Sequence, residues 1–172
     1  MKIFITGKPG SGKSTTLFKI VEELKKDYKI GGILTPEVRK NGERVGFEIL
    51  DVYSGKKRLF ASIYFRTNYK LGKYFIDVSS FDEIFVPSID IAFKECDIIV
   101  IDEIGKMELM SYNFILSLER ILKSEKILVA TLHFSLIEKF KNRGKLYWVR
   151  FGKSDEVSKI IIEKIRNFIE KK

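Results

Sequence analysis

The octet Gly7-Lys8-Pro9-Gly10-Ser11-Gly12-Lys13-Ser14 constrains this chain more than any other stretch, because of what stands on either side of it. Ile3 to Thr6 is a short β-branched and aromatic run, and from Ser14 to Leu24 the apolar residues Leu17, Ile20, Val21 and Leu24 recur at helical spacing. The expected order is strand, glycine-rich turn, helix. In that setting the glycines let backbone N–H groups converge on an oxyanion, and the helix N-terminus adds donors and a favourable dipole. The octet satisfies GxxxxGK[ST], in which Lys13 reaches the β- and γ-phosphates of a nucleotide and Ser14 offers its hydroxyl to Mg²⁺.

Downstream, Gly31 and Gly32 are expected to end the helix region, with Ile33 to Thr35 a second strand running into TPEVR. Asn41-Gly42, between Val38 and Val45, signals a hairpin, since a type I′ turn needs positive φ at both central residues. Ser54-Gly55 marks another turn, between Phe47 to Val52 and Arg58 to Ile63, and Tyr74 to Val78 is a further short strand. The spacing predicts a helix over Phe81 to Lys94 with an irregularity at Pro87.

From Ile98 onward continuous apolar runs alternate with helices. Ile98 to Ile101, Ile127 to Thr131 and Tyr147 to Phe151 read as strands, and Tyr112 to Leu122, Leu136 to Phe140 and Val157 to Ile169 as helices. That alternation indicates a mostly parallel sheet with helices on both faces, here carrying a β-hairpin insert. The fold class is α/β. With 172 residues and no linker, repeat or low-complexity tract, residues 1–172 are expected to form one domain.

The strand Ile98-Ile99-Val100-Ile101 delivers Asp102 and Glu103 at its C-terminal end, the edge where open α/β sheets bind ligands. Asp102 there can hold Mg²⁺ through its water shell. Glu103 is placed to orient or deprotonate an attacking water. Asp102-Glu103-Ile104-Gly105 also matches the DxxG loop of GTPase switches, with Thr35 where a switch threonine would stand. The guanine-reading NKxD is absent, however, and Lys106 follows Gly105 where a switch would present Gln.

Thirty-two Lys plus Arg against 23 Asp plus Glu give a net charge of +9, which favours anionic partners but also fits a lysine-rich, heat-adapted surface. The basic residues run from Lys2 to Lys172 without forming a block, so nucleic acid is a possible partner and not the favoured one. Cys96 is the only cysteine and reads as a buried structural thiol, which points to a reducing compartment. No apolar run reaches a membrane span, and the N-terminus lacks a signal-peptide pattern; a cytoplasmic location is expected.

Taken together, GKPGSGKST, TPEVRKNGERVGFEILD, LGKYFIDVSSFDEI and above all IIVIDEIGKMEL resemble the small P-loop nucleoside-triphosphatases of the thermophilic and cancer-related type, over nearly the whole chain. The resemblance implies a RecA-like P-loop domain that hydrolyses ATP, GTP and other nucleoside triphosphates to the diphosphate and phosphate. It also implies Mg²⁺ as cofactor, loose base selectivity and slow turnover. It makes Gly7 to Thr15 the phosphate loop, with Gly7, Lys8, Pro9, Gly10, Ser11, Gly12, Lys13, Ser14 and Thr15 as nucleotide-binding positions. Ser14 and Asp102 stand on the metal side, and Glu103 activates water beside Lys13.

Arg39, in TPEVR, matches an arginine of the family that either reaches the γ-phosphate as an internal finger or lies exposed on the hairpin. Lys106 either screens phosphate charge or caps the loop. Thr131 either meets the γ-phosphate or is a plain strand-end threonine. The family usually has an apolar residue and proline where this chain has Leu132-His133, which brings the only histidine near the expected site. Near the C-terminus, where the family shows a threonine-led ENR segment beside the nucleotide base, this chain has Gly152-Lys153-Ser154-Asp155-Glu156-Val157. Two other functions fit parts of the pattern. A small P-loop kinase would use Lys139 to Lys145 as a basic lid, and a nucleotide-controlled nucleic-acid-binding module would draw on the positive charge.

Overall fold

The computed structural model describes residues 1–171, with Phe81 described by its backbone alone. Strand β1 (Lys2–Thr6) enters the glycine-rich loop, and α1 (Lys13–Leu24) leaves it. Next come β2 (Ile30–Leu34), β3 (Glu37–Lys40), β4 (Glu43–Asp51), β5 (Lys57–Ser62), β6 (Tyr69–Leu71) and β7 (Tyr74–Ile76). A π-helical turn, Phe81–Phe85, leads into α2 (Val86–Glu95), with Pro87 in the first turn of α2. The chain continues through β8 (Ile98–Ile104), α3 (Tyr112–Lys123), β9 (Ile127–Leu132), α4 (Ile137–Phe140), β10 (Lys145–Trp148) and α5 (Ser154–Glu170).

The strands form one sheet in the order β10-β1-β9-β8-β2-β4-β5-β7-β6, with β3 paired to β4. The five strands from β10 to β2 are parallel, and the extension beyond β2 is antiparallel. Alternation along β1 and β8 feeds two cores. Ile3, Ile5, Ile98 and Val100 pack with Leu17, Ile20 and Val21 of α1 and Ile161 and Ile165 of α5. On the other face Phe4, Ile99 and Ile101 pack with Ile89 and Ala92 of α2 and Phe114 and Leu118 of α3. Both faces are thus covered, as the apolar runs require.

Two sequence expectations are corrected. Gly31 and Gly32 do not end the helix region; they lie inside β2, every residue of which is buried. A Cβ on Gly31 would stand 2.7 Å from Cys96 Sγ and 2.8 Å from Ala92 Cβ, so the close approach of α2 to the sheet demands glycine here. The last parallel strand is shorter than Tyr147 to Phe151 and begins earlier, at Lys145. The hairpin insert is present: Asn41 and Gly42 turn β3 into β4 with φ of 51° and 81°.

Candidate active site

The glycine-rich loop closes on itself through Ser11 N–H to the Lys8 carbonyl at 3.1 Å. Gly12, in the left-handed region at φ 101°, is the N-cap of α1; it brings no side-chain cap, and the first turn of α1 carries no acidic residue. The helix therefore presents its first N–H groups unneutralised, which suits an anion. Ser11 Oγ is buried without a hydrogen-bond partner, and Lys13 Nζ folds back on the Gly7 and Lys8 carbonyls at 3.3 and 3.5 Å. A loop with an orphaned hydroxyl and a loosely held ammonium fits phosphate oxygens that would complete both.

Asp102 and Glu103 stand at the end of β8, and β9 separates β8 from the strand carrying the loop. Thr131 of β9 bridges that gap: its Oγ1 donates to Asp102 Oδ1 at 2.5 Å, while Ser14 Oγ donates to the same oxygen at 3.0 Å. Burial pushes the Asp102 carboxyl up, against hydrogen bonds from Thr131 and Ser14, the charge of Lys13 and a backbone bond from Thr35. A cation here would relieve that desolvation. A hydroxyl and a single carboxylate are hard oxygen donors, the set that suits Mg²⁺ with most of its waters retained.

Glu103 is pushed up to about 7 by burial, with Lys13 opposing and Asp102 adding to the rise. Next to it lies a second buried acid, Glu108, pushed up to about 8 chiefly by burial, while Glu103 and Asp102 raise it further. The two carboxyls converge on Gly105, where a Cβ would stand 2.9 Å from Glu103 Oε1 and 2.8 Å from Glu108 Oε2.

Both acids line a cavity of 360 Å³ shared with Lys13, Arg44, Lys106 and His133. Arg44 Nε donates to Tyr74 Oη at 2.9 Å and Nη1 to Glu37 at 2.7 Å, and its guanidinium lies 5.2 Å from the centre of the Phe47 ring. His133 Nδ1 pairs with Ser135 Oγ at 2.8 Å, and burial, followed by the charges of Lys13 and Lys106, lowers its pKa below the ordinary histidine value.

A sheet-edge site of this build, with its two acids one strand removed from the phosphate loop, can be set against known proteins. The family model described as NTPase matches residues 2–162. The chain belongs to this nucleoside-triphosphatase family. It is 40% identical over 166 residues to the nucleoside-triphosphatase THEP1 of Methanocaldococcus jannaschii, covering 96% of this chain and 97% of that protein. To the THEP1 of Pyrococcus abyssi it is 37% identical over 171 residues, 98% and 94% of the two chains. The crystal structure of THEP1 from Aquifex aeolicus superposes with a TM-score of 0.80 at 35% identity, covering 96% of each chain. The solution structure of a human cancer-related nucleoside triphosphatase gives 0.78 at 28% identity, over 96% of this chain and 97% of that one.

Within this NTPase fold, Lys13, Ser14, Asp102 and Glu103 come together as their motifs suggest. Thr131 is engaged by Asp102, and Lys106 and His133 reach the cavity wall. Arg39 does not line the cavity. Its guanidinium is held by Glu37 at 2.7 and 3.1 Å and by the Gly42 carbonyl at 2.9 Å, and the arginine on the wall is Arg44. The stretch Lys139 to Lys145 stays away as well, with Arg143 clamped on Glu119 by two bonds of 2.6 Å. Sequence reasoning assigned no role to Arg44 or Glu108, although both lie in segments that carry the family resemblance, TPEVRKNGERVGFEILD and IIVIDEIGKMEL.

Proposed function

We propose that residues 1–172 act as one Mg²⁺-dependent enzyme that hydrolyses nucleoside 5′-triphosphates, ATP and GTP among them, to the diphosphate and phosphate. The observation that carries this reading is the convergence of Lys13, the Ser14–Asp102 pair and Glu103 on one cavity. Family membership supports the same reaction. Loose base selectivity belongs to the reading, supported by the absence of an NKxD guanine-reading motif.

The loop N–H groups and Lys13 hold the β- and γ-phosphate oxygens. Glu103, with a proton affinity near neutrality, accepts a proton from water as the water oxygen bonds the γ-phosphorus and the bond to the β–γ bridging oxygen breaks. Ser14 and Asp102 would hold Mg²⁺, which would supply charge neutralisation at the phosphates. Arg44 brings positive charge to the transferring group, and Arg39 fixes the Glu37 carboxylate that grips Arg44. Positioning and electrostatics supply the acceleration.

A cytoplasmic location goes with this reading, supported by the buried free thiol of Cys96. No helix among the described residues is long and apolar enough to cross a membrane. Phosphate release from ATP, GTP, CTP and UTP, with Mg²⁺ and with a chelator in excess, tests the reading. Release from several triphosphates that stops without the metal supports it; release that ignores the chelator, or none at all, contradicts it.

A further inference from the structure

His133 is the only histidine of the chain, and it follows β9, the strand between the phosphate loop and the acids. Its backbone is tied to both neighbours. The Leu132 carbonyl accepts from Thr6 Oγ1 at 3.0 Å, at the last residue of β1 before the loop. The His133 N–H donates to the Ile104 carbonyl at 3.1 Å, one residue beyond Glu103 on β8. These two bonds fix Leu132 and His133 between the loop that carries Lys13 and the strand that carries Glu103.

The imidazole is fixed as well. Its Nδ1 accepts from the Ser135 backbone N–H at 3.3 Å, capping the short turn Phe134–Leu136, and stands 2.8 Å from Ser135 Oγ. A backbone N–H can only donate, so the lone pair of Nδ1 faces it and the neutral ring carries its hydrogen on Nε2. The ring lines the 360 Å³ cavity together with Lys13, Asp102, Glu103 and Lys106. With Nδ1 engaged in the turn, Nε2–H is the polar group that the imidazole has for this cavity.

We infer that His133 is a catalytic residue, whose Nε2–H donates to an oxygen of the γ-phosphate between Lys13 and Glu103. This role rests on the hydrolase reading and adds a residue to its machinery. As water bonds the γ-phosphorus and the β–γ bridging oxygen leaves, charge redistributes over the three peripheral γ-oxygens. A donor already held in place stabilises that charge without reorganising. Lys13 serves those oxygens from the loop and Arg44 from the hairpin, and His133 adds a donor from the end of β9.

The competing role is structural, since the Nδ1 contact makes His133 the N-cap of the Phe134–Leu136 turn. Two variants separate the roles. His133→Asn puts an acceptor where Nδ1 stands and keeps the cap, but its side chain ends short of Nε2. His133→Gln reaches the position of Nε2 with an amide N–H.

Phosphate release from ATP with Mg²⁺ is measured on both variants and wild type, beside calorimetric titration of ADP alone and of ADP with aluminium fluoride, which mimics the transferring phosphoryl group. The expected result in His133→Asn is a kcat lower by about 10-fold or more, the scale of a lost hydrogen bond to a charged group, with ADP affinity within about 2-fold of wild type. The extra affinity that aluminium fluoride gives to ADP should fall with kcat, because the contact belongs to the transition state. His133→Gln should return kcat to within about 3-fold of wild type. Wild-type kcat in His133→Asn overturns the inference and leaves His133 a cap. So does an equal loss of ADP affinity, or a Gln variant no faster than the Asn variant. A wild type that releases no phosphate contradicts the hydrolase reading itself, and the role of His133 falls with it.

Discussion

Thr131 Oγ1 donates to Asp102 Oδ1 at 2.5 Å, so the strand between the phosphate loop and the acidic strand carries the group that anchors the buried Asp102 carboxylate. The anchor matters because Asp102 is buried and its charge is costly without partners. Thr131→Val removes the hydroxyl while keeping the shape. It should cost about 1–3 kcal/mol in urea unfolding, the range for leaving a buried polar group unsatisfied, and should raise the Mg²⁺ concentration needed for half-maximal phosphate release. Thr131→Ser should recover most of both. A Mg²⁺ requirement unchanged in the valine variant would place the anchoring elsewhere.

Glu108 makes a pH prediction whose sign can be worked out. Its folded pKa, about 8, lies above the ordinary 4.5, so between those values the unfolded chain holds fewer protons than the folded one and stability falls as pH rises. The contribution is fully present below about 4.5 and is lost through about 8. Glu108→Gln keeps the neutral shape and removes the titration. Relative to wild type it should therefore gain stability between about pH 5.5 and pH 8.5 in urea unfolding. Parallel pH profiles for the two proteins would show that Glu108 ionises freely.

Gly105 is the point on which Glu103 and Glu108 converge, and any Cβ there meets both carboxylates closer than 3.0 Å. Gly105→Ala should shift the Glu103 carboxyl from the position proposed for activating water. Turnover should drop by about 10-fold or more, on the scale of a misplaced general base, while nucleotide affinity stays within about 2-fold. A variant that loses binding and turnover together would mean that the loop itself had collapsed.

Arg44 and Arg39 face each other across the β3–β4 hairpin and share Glu37, yet only Arg44 lines the acid cavity. Arg44→Ala should lower kcat by about 10-fold or more, below the full 10³–10⁵ of an arginine finger supplied in trans. Arg39→Ala, which only loosens Glu37, should cost less. Steady-state kinetics that ranked the two the other way round would return the finger role to Arg39.

These residues also show what the sequence could and could not tell. Lys13 and Ser14 were legible because a glycine-rich loop joins an apolar strand to the start of a helix, Asp102 and Glu103 because they follow the apolar run of β8, and the turn chemistry of Asn41-Gly42 marked the hairpin locally. Arg44 was not, because what turns it toward the cavity is Tyr74, 30 residues away on β7. Gly31 and Gly32 looked like a breaker, since nothing local announces that Ala92, Cys96 and Val100 press on them from α2, its C-terminus and β8. Glu108 drew no reading of its own, because its burial comes from tertiary packing around a short 3₁₀ turn.

The central claim is that Glu103 takes the proton from water. Its most direct test is Mg²⁺-dependent phosphate release as a function of pH for wild type and Glu103→Gln, with nucleotide binding measured on both. Wild-type kcat/KM should rise through about 7, the pKa of Glu103 in the free enzyme, and then level off. The variant should bind nucleotide as wild type does and lose turnover by about 10²-fold or more, with no such rise. A variant that hydrolyses at the wild-type rate, or keeps the same pH profile, would contradict the account.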